Sequence, residues 1–157
     1  MTAVFQQATT NDIPLLVKAR LDFLEALGNE PLEGAELNAA QTQIEGFLRS
    51  RLGTQIFAWI AFVNEEPASV GFLHLYNVMF HPMAHSGRYG RIINLLTWPD
   101  FRRQGLARGI MERLIAQARE LGLDYIGLDA SPDGRHLYDS LGFVEQHPVH
   151  PPMTLDF

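Results

Sequence analysis

The chain has 157 residues, 46% of them hydrophobic, with a formal net charge of −6. Such a chain suits one globular domain over residues 1–157; its apolar share excludes a disordered polymer, and its negative charge argues against nucleic acid as a partner. There is no cysteine, which excludes disulfides, thiolate metal sites and a cysteine nucleophile.

The first residues hold neither a basic stretch nor an apolar leader, and no apolar run approaches the ~20 residues of a membrane span. A soluble cytoplasmic protein with no membrane partner is the expectation. Residues 4–8 read as a short first strand. Thr10, Asn11 and Asp12 offer a helix start, and Ile13, Leu16, Val17, Arg20, Leu21, Leu24 and Leu27 follow at the spacing of one helix face until Gly28. A second helix is predicted over 35–52, with Leu37, Ile44, Phe47 and Leu48 inward. Residues 55–63 (QIFAWIAFV) form a buried strand, 64–67 a turn, and 69–79 the returning strand of a hairpin. A loop over 81–87 leads to an apolar strand over 92–98, which Pro99 stops because it has no N–H to give to a ladder.

The chain then changes period. After Arg102-Arg103-Gln104-Gly105, the residues Leu106, Ala107, Ile110, Met111, Leu114, Ile115, Ala118 and Leu121 recur at helical spacing, and Gly122 closes the helix. Residues 125–130 read as a strand parallel to the one before the helix. A short helix over 134–141, a strand beginning at 142–144, a proline-rich loop over 148–152 and a last strand over 153–157 complete the chain. The order predicts an α/β fold, a mixed central sheet of six to seven strands flanked by about four helices.

Only Lys18 among the twelve basic residues is a lysine, and the arginines gather between residues 88 and 119. Residues 22–45 carry six acids and no basic residue, which suits either a solvated helix face or a cationic acceptor. The loop before the third helix suits a polyphosphate. The first turn of a helix has N–H groups without partners and the positive end of the macrodipole. Gly105 has no Cβ and Ala107 almost none, so a phosphate could lie on bare backbone, with Arg102, Arg103 and Arg108 around it. Read alone, the same residues also serve as a plain loop glycine with surface arginines.

The pattern Arg102-x-x-Gly105-x-Ala107 resembles the coenzyme A motif of the GNAT superfamily of acetyl-CoA-dependent N-acetyltransferases, and the segment ending Leu137-Tyr138-Asp139-Ser140-Leu141-Gly142-Phe143 looks like that family's closing motif. The two cover roughly residues 88–146. The resemblance implies direct acetyl transfer from acetyl-CoA to a small-molecule or peptide primary amine. It implies that the backbone of Gln104, Gly105, Leu106, Ala107 and Arg108 holds the diphosphate, beside Arg102 and Arg103. It implies that the strand Asn94-Leu95-Leu96-Thr97 splays from its neighbour and carries the pantetheine arm, with the Leu96 N–H on the thioester carbonyl. Tyr138 is then the proton donor to the leaving thiolate, because a phenol near pKa ~10 is protonated at neutral pH. A tyrosine simply packed by its ring is the alternative. Ser131 is expected to touch the coenzyme or to cap the short helix.

The base is less defined. Many relatives place a glutamate on the strand that here carries Asn94, and Asn94 can only orient water or the amine. Asp129, His74 and Glu30 are the alternatives. His81 and His85 are four apart but lie in a loop without a third ligand, so no metal is expected; His147 and His150 fall in another loop. The rival function is a non-catalytic acyl-CoA-binding or regulatory module on the same fold. Dimers are common in the family the chain resembles, and the last strand would offer such a dimer an edge, but the sequence does not decide between monomer and homodimer.

Overall fold

The computed structural model describes residues 2–157. Among these, β1 (Ala3–Gln7), β2 (Ile56–Val63), β3 (Glu66–Asn77), β4 (Arg88–Thr97) and β5 (Ile126–Gly127) form one sheet in the order β1-β2-β3-β4-β5. The first three pairings are antiparallel and β4–β5 is parallel. The parallel pairing follows from the crossover helix α3 (Leu106–Glu120), which returns the chain to the same end of the sheet. Helices α1 (Ile13–Ala26) and α2 (Gly34–Arg51) cover the other face, and α4 (Arg135–Ser140) is a short helix after β5. The mixed sheet flanked by four helices is the expected fold class.

Strands β2 and β3 are apolar on both faces because both faces are covered. On one side Leu73, Leu75 and Ile92 pack with Leu106, Ile110, Met111 and Leu114 of α3. On the other, Ile56, Ile60, Val70, Phe72 and Leu96 pack with Ile13, Leu16 and Ala19 of α1 and Leu48 of α2. The α3 face lies close to β3 because Gly71 has no Cβ; one built there would sit 2.5 Å from the Ile110 side chain. The chain enters α1 through a capping box, with the Thr9 N–H donating to the Asp12 carboxylate at 2.8 Å, one residue before the predicted start.

The main departure is at the end of the chain. There are five strands, not six to seven. The strand predicted over 125–130 shrinks to Ile126 and Gly127, paired with Gly90 and Arg91. No strand forms over 142–144 or 153–157, and Val144, Val149, Met153, Leu155 and Phe157 are exposed. A two-residue β5 offers almost no ladder for a further strand to join, and Pro148, Pro151 and Pro152 have no N–H to contribute. The dimer edge expected at the last strand therefore does not exist as a strand.

The short β5 has a consequence for β4. From Ile92 onward, the β4 edge that faces away from β3 has no partner strand. Arg91 marks the parting point: its guanidinium lies over Gly127 and pairs with Asp129 at 3.0 Å.

Candidate active site

A 3-10 turn at Pro99–Phe101 leads from β4 into the basic loop. Two residues there are left-handed, Arg103 (φ 62°) and Gly105 (φ 76°), and α3 starts at Leu106. Gly105 adopts this conformation without strain, whereas Arg103 holds it at some cost. The Arg102 N–H donates to Pro99 O at 3.3 Å, and from Gln104 onward the first N–H with a backbone acceptor is that of Gly109, to Gly105 O at 3.1 Å. The N–H groups of Gln104, Gly105, Leu106, Ala107 and Arg108 have no acceptor among the described residues. Nothing lies within 4 Å of where a Gly105 Cβ would be. Turn, free donors and open space form a shallow cradle of the kind that suits an anion. The arginines divide their work. Arg102 Nε donates to Thr97 O at 3.2 Å, and Arg108 donates to the Ser140 hydroxyl. Arg103 is exposed and has no ion pair among the described residues.

The open edge of β4 runs up to this cradle. Its polarity follows from the ladder with β3. Trp98 N–H donates to Ala68 O at 3.0 Å, and the Ser69 hydroxyl donates to Leu96 O at 2.8 Å. Residues of an antiparallel strand turn both backbone groups alternately to one neighbour and then the other. Leu96 thus faces β3, paired with Val70, and so does Asn94, paired with Phe72. Ile93, Leu95 and Thr97 face the open edge. Two of their carbonyls are seen there: Ile93 O accepts from Arg20 at 3.2 Å and Thr97 O from Arg102. The Leu96 N–H, expected at a thioester carbonyl, is directed at β3 instead, and the neighbouring residue on the open edge is Leu95. Parity decides this, and the irregularity between Phe72 and Leu73 makes it hard to count from sequence.

Between α1, β4 and the segment after β5 lies a cleft of about 500 Å³, lined by Arg20, Leu24, Asn94, Leu95, Ser131 and Tyr138 among others. Tyr138 is 8% exposed. Its ring meets Phe143 edge-on at 6.1 Å and lies so close over Gly134 that a Cβ there would stand 2.9 Å from the hydroxyl. Burial raises its pKa above the ordinary phenol value, so the hydroxyl stays protonated. Ser131 also lines the cleft, and its Oγ accepts from the Gly134 N–H at 3.2 Å, capping the turn into α4. Asn94 is 1% exposed; its Oδ1 accepts from Arg20 at 3.4 Å and its Nδ2 is buried with no acceptor.

A second cavity, about 320 Å³, lies between α2 and the bulged part of β3 and β4. Ile44, Phe47, Phe72, His74 and Tyr76 line it, and Arg20 stands on its border with the first cleft. The His74 ring lies tilted against Tyr76, centroids 4.2 Å apart; burial, and then Arg51, lower its pKa, so it is neutral near pH 7. Of the other base candidates, Asp129 is engaged with Arg91 and Glu30 is exposed in the loop before α2, lining neither cavity. His81 accepts from the Met83 N–H, His85 packs on Phe80, and the described residues contain no group of three or more metal-binding side chains. Arg20 was the residue sequence reasoning passed over. Its signal was there: an arginine at an apolar position of the first helix.

The family model described as the acetyltransferase (GNAT) family matches residues 21–143. Over 93 residues the chain is 33% identical to a thialysine N-epsilon-acetyltransferase of Caenorhabditis elegans, an alignment covering 57% of this chain and 54% of that protein. The chain thus matches about half the length of that curated relative. A protein of Clostridium acetobutylicum described as a predicted acetyltransferase, crystallised with acetyl-CoA, superposes with a TM-score of 0.85 at 26% identity, over 98% of this chain and 96% of that one. A GCN5-related N-acetyltransferase of Ralstonia eutropha shares the fold at TM-score 0.82 and 23% identity, over 97% and 99% of the two chains.

Proposed function

The chain belongs to the GNAT acetyltransferase family, and from that premise we propose that it transfers the acetyl group of acetyl-CoA to a primary amine, with both substrates bound together in one domain. The observation that carries the reading is the unpartnered edge of β4 running into the unpartnered N–H groups of the 104–108 turn. A diphosphate followed by an amide-bearing arm is a chemical match to that sequence of donors and acceptors. The residues fit such a ligand: the turn is bare at Gly105 and nothing in the chain fills it.

When bound, acetyl-CoA supplies the activated thioester carbonyl. The chain's residues then have distinct tasks. Gln104 to Arg108 donate N–H groups to the diphosphate, with Arg103 adding charge. Leu95 and Thr97 offer backbone groups to the pantetheine arm, and the Leu95 N–H is available to the carbonyl under attack. Ser131 holds the turn that presents Tyr138. In the transfer a C–N bond forms and the C–S bond breaks; the departing thiolate takes the Tyr138 hydroxyl proton, and the proton shed by the attacking nitrogen passes through solvent to restore the phenol. Neutral His74, which lines the aromatic cavity, is the proton acceptor for an ammonium entering by that side in this reading. A protonated Tyr138 on the cleft favours catalysis over simple acyl-CoA binding.

The test is thiol release from acetyl-CoA by the purified protein across amino acids, polyamines, aminoglycosides and peptides. Amine-dependent release is the expected result. Coenzyme binding without release over the whole panel would favour the non-catalytic reading.

A further inference from the structure

Arg20 occupies an unusual position. It projects from α1 onto the boundary between the thioester cleft and the aromatic cavity, and it lines both. It is partly buried, and desolvation lowers its pKa, although a guanidinium remains charged. Its contacts within the chain are Ile93 O, Asn94 Oδ1 and the face of Phe23 at 5.8 Å. All are uncharged, and no carboxylate among the described residues pairs with it. A partly buried cation without an anion is costly, and a substrate anion would offset that cost.

The surroundings agree. No acid lines the aromatic cavity, and the one acid on the cleft, Asp129, is taken by Arg91. The acids of residues 22–45 lie elsewhere. Asp22 accepts from the Trp98 indole at 2.8 Å and pairs with Lys18; Glu25, Glu30, Glu33, Glu36 and Glu45 are exposed. A polycation entering this site would meet Arg20 and find no carboxylate but Asp129, which is paired with Arg91. The cationic acceptor suggested by the acidic segment is therefore not supported by where those acids sit.

We propose that the acceptor is an amine that itself carries a carboxylate, an amino acid in class, with the carboxylate on Arg20 and the apolar part of the molecule against Phe47, Phe72 and Ile44. The cavity of about 320 Å³ is of a size for one such molecule. Asn94 is a positioning residue in this arrangement, its Oδ1 holding the guanidinium on β4. The inference rests on the acetyltransferase reading and names its substrate class.

The experiment compares the common free amino acids with their methyl esters and their decarboxylated amines, by thiol release, in wild type, Arg20→Gln and Arg20→Lys. Acetyl-CoA affinity is measured by calorimetry and folding by thermal melting in each protein. In the wild type, kcat/KM is expected to fall roughly tenfold or more when the carboxylate is masked or removed. Arg20→Gln is expected to erase that gap, and Arg20→Lys to keep part of it. Equal or better use of esters and decarboxylated amines overturns the inference, as does a gap that survives in a folded Arg20→Gln protein. So does acetylation of other amines with no amino acid accepted. In each of these cases the acetyltransferase reading stands. Failure of the wild type to bind acetyl-CoA at all would overturn both.

Discussion

Tyr138→Phe is expected to lower kcat by roughly tenfold to a hundredfold while leaving acetyl-CoA affinity nearly unchanged. The substitution removes one oxygen and keeps the ring that packs on Phe143. A tyrosine with a merely structural role would therefore lose little. The proton it gives matters because a thiolate is a basic leaving group, and bulk water has restricted access to a side chain only 8% exposed. The pH profile supplies an independent check. Burial raises the Tyr138 pKa, so its hydroxyl keeps the proton to higher pH than a free phenol. In the wild type the alkaline fall of kcat should lie above about pH 10, the ordinary phenol range. In Tyr138→Phe the residual rate should lack that limb. Stopped-flow or steady-state thiol release over pH, with calorimetry for the coenzyme, measures both effects. Equal kcat in the two proteins would remove the role.

Gly105→Ala is the second large effect. At φ 76° and ψ 10° the residue is left-handed, and an alanine there costs about 1–2 kcal/mol. Nothing in the chain stands within 4 Å of the new methyl group, so the fold itself has room for it. The methyl group would, however, occupy the open space over the unpartnered N–H groups. The expectation is a folded protein whose melting temperature falls by a few degrees and whose dissociation constant for acetyl-CoA rises roughly tenfold or more. A protein destabilised to that extent but with unaltered coenzyme affinity would show that the loop is structural and nothing more.

The parts of the site that sequence discloses are those set by local chemistry. The switch from the apolar run before Pro99 to the helical spacing of Leu106, Ile110 and Leu114, with Gly105 between them, announces a strand, a turn and a helix. The turn's suitability for an anion follows from backbone donors that any helix start possesses. Tyr138 and Ser131 come together for the same reason, being seven residues apart around one short helix.

What sequence does not disclose depends on pairing across the chain. Leu128 to Ala130 read as a strand, yet they leave the sheet where Arg91 and Asp129 meet, and no pattern within the segment announces that departure. The residues at 153–157 alternate as a strand would, but no edge is there to receive them. The choice of Leu95 over Leu96 is a matter of one residue of register, fixed by the bonds of Trp98 with Ala68 and of Ser69 with Leu96. Arg20 becomes meaningful only when α1 is laid on β4, since Ile93 and Asn94 lie 73 and 74 residues away. An arginine at an apolar helix position, with no acid nearby in space, signals a binding group more directly than the acidic run that follows it. That run is conspicuous in sequence and faces solvent in the fold.

The most direct test of the central claim is a crystal structure of the protein with coenzyme A. The diphosphate should lie within hydrogen-bond distance of the N–H groups of Gln104 to Arg108, with the pantetheine amides on the backbone of Leu95 and Thr97. A coenzyme seated elsewhere, or a turn closed over by the Arg102 and Arg103 side chains with β4 paired to its end, would contradict it.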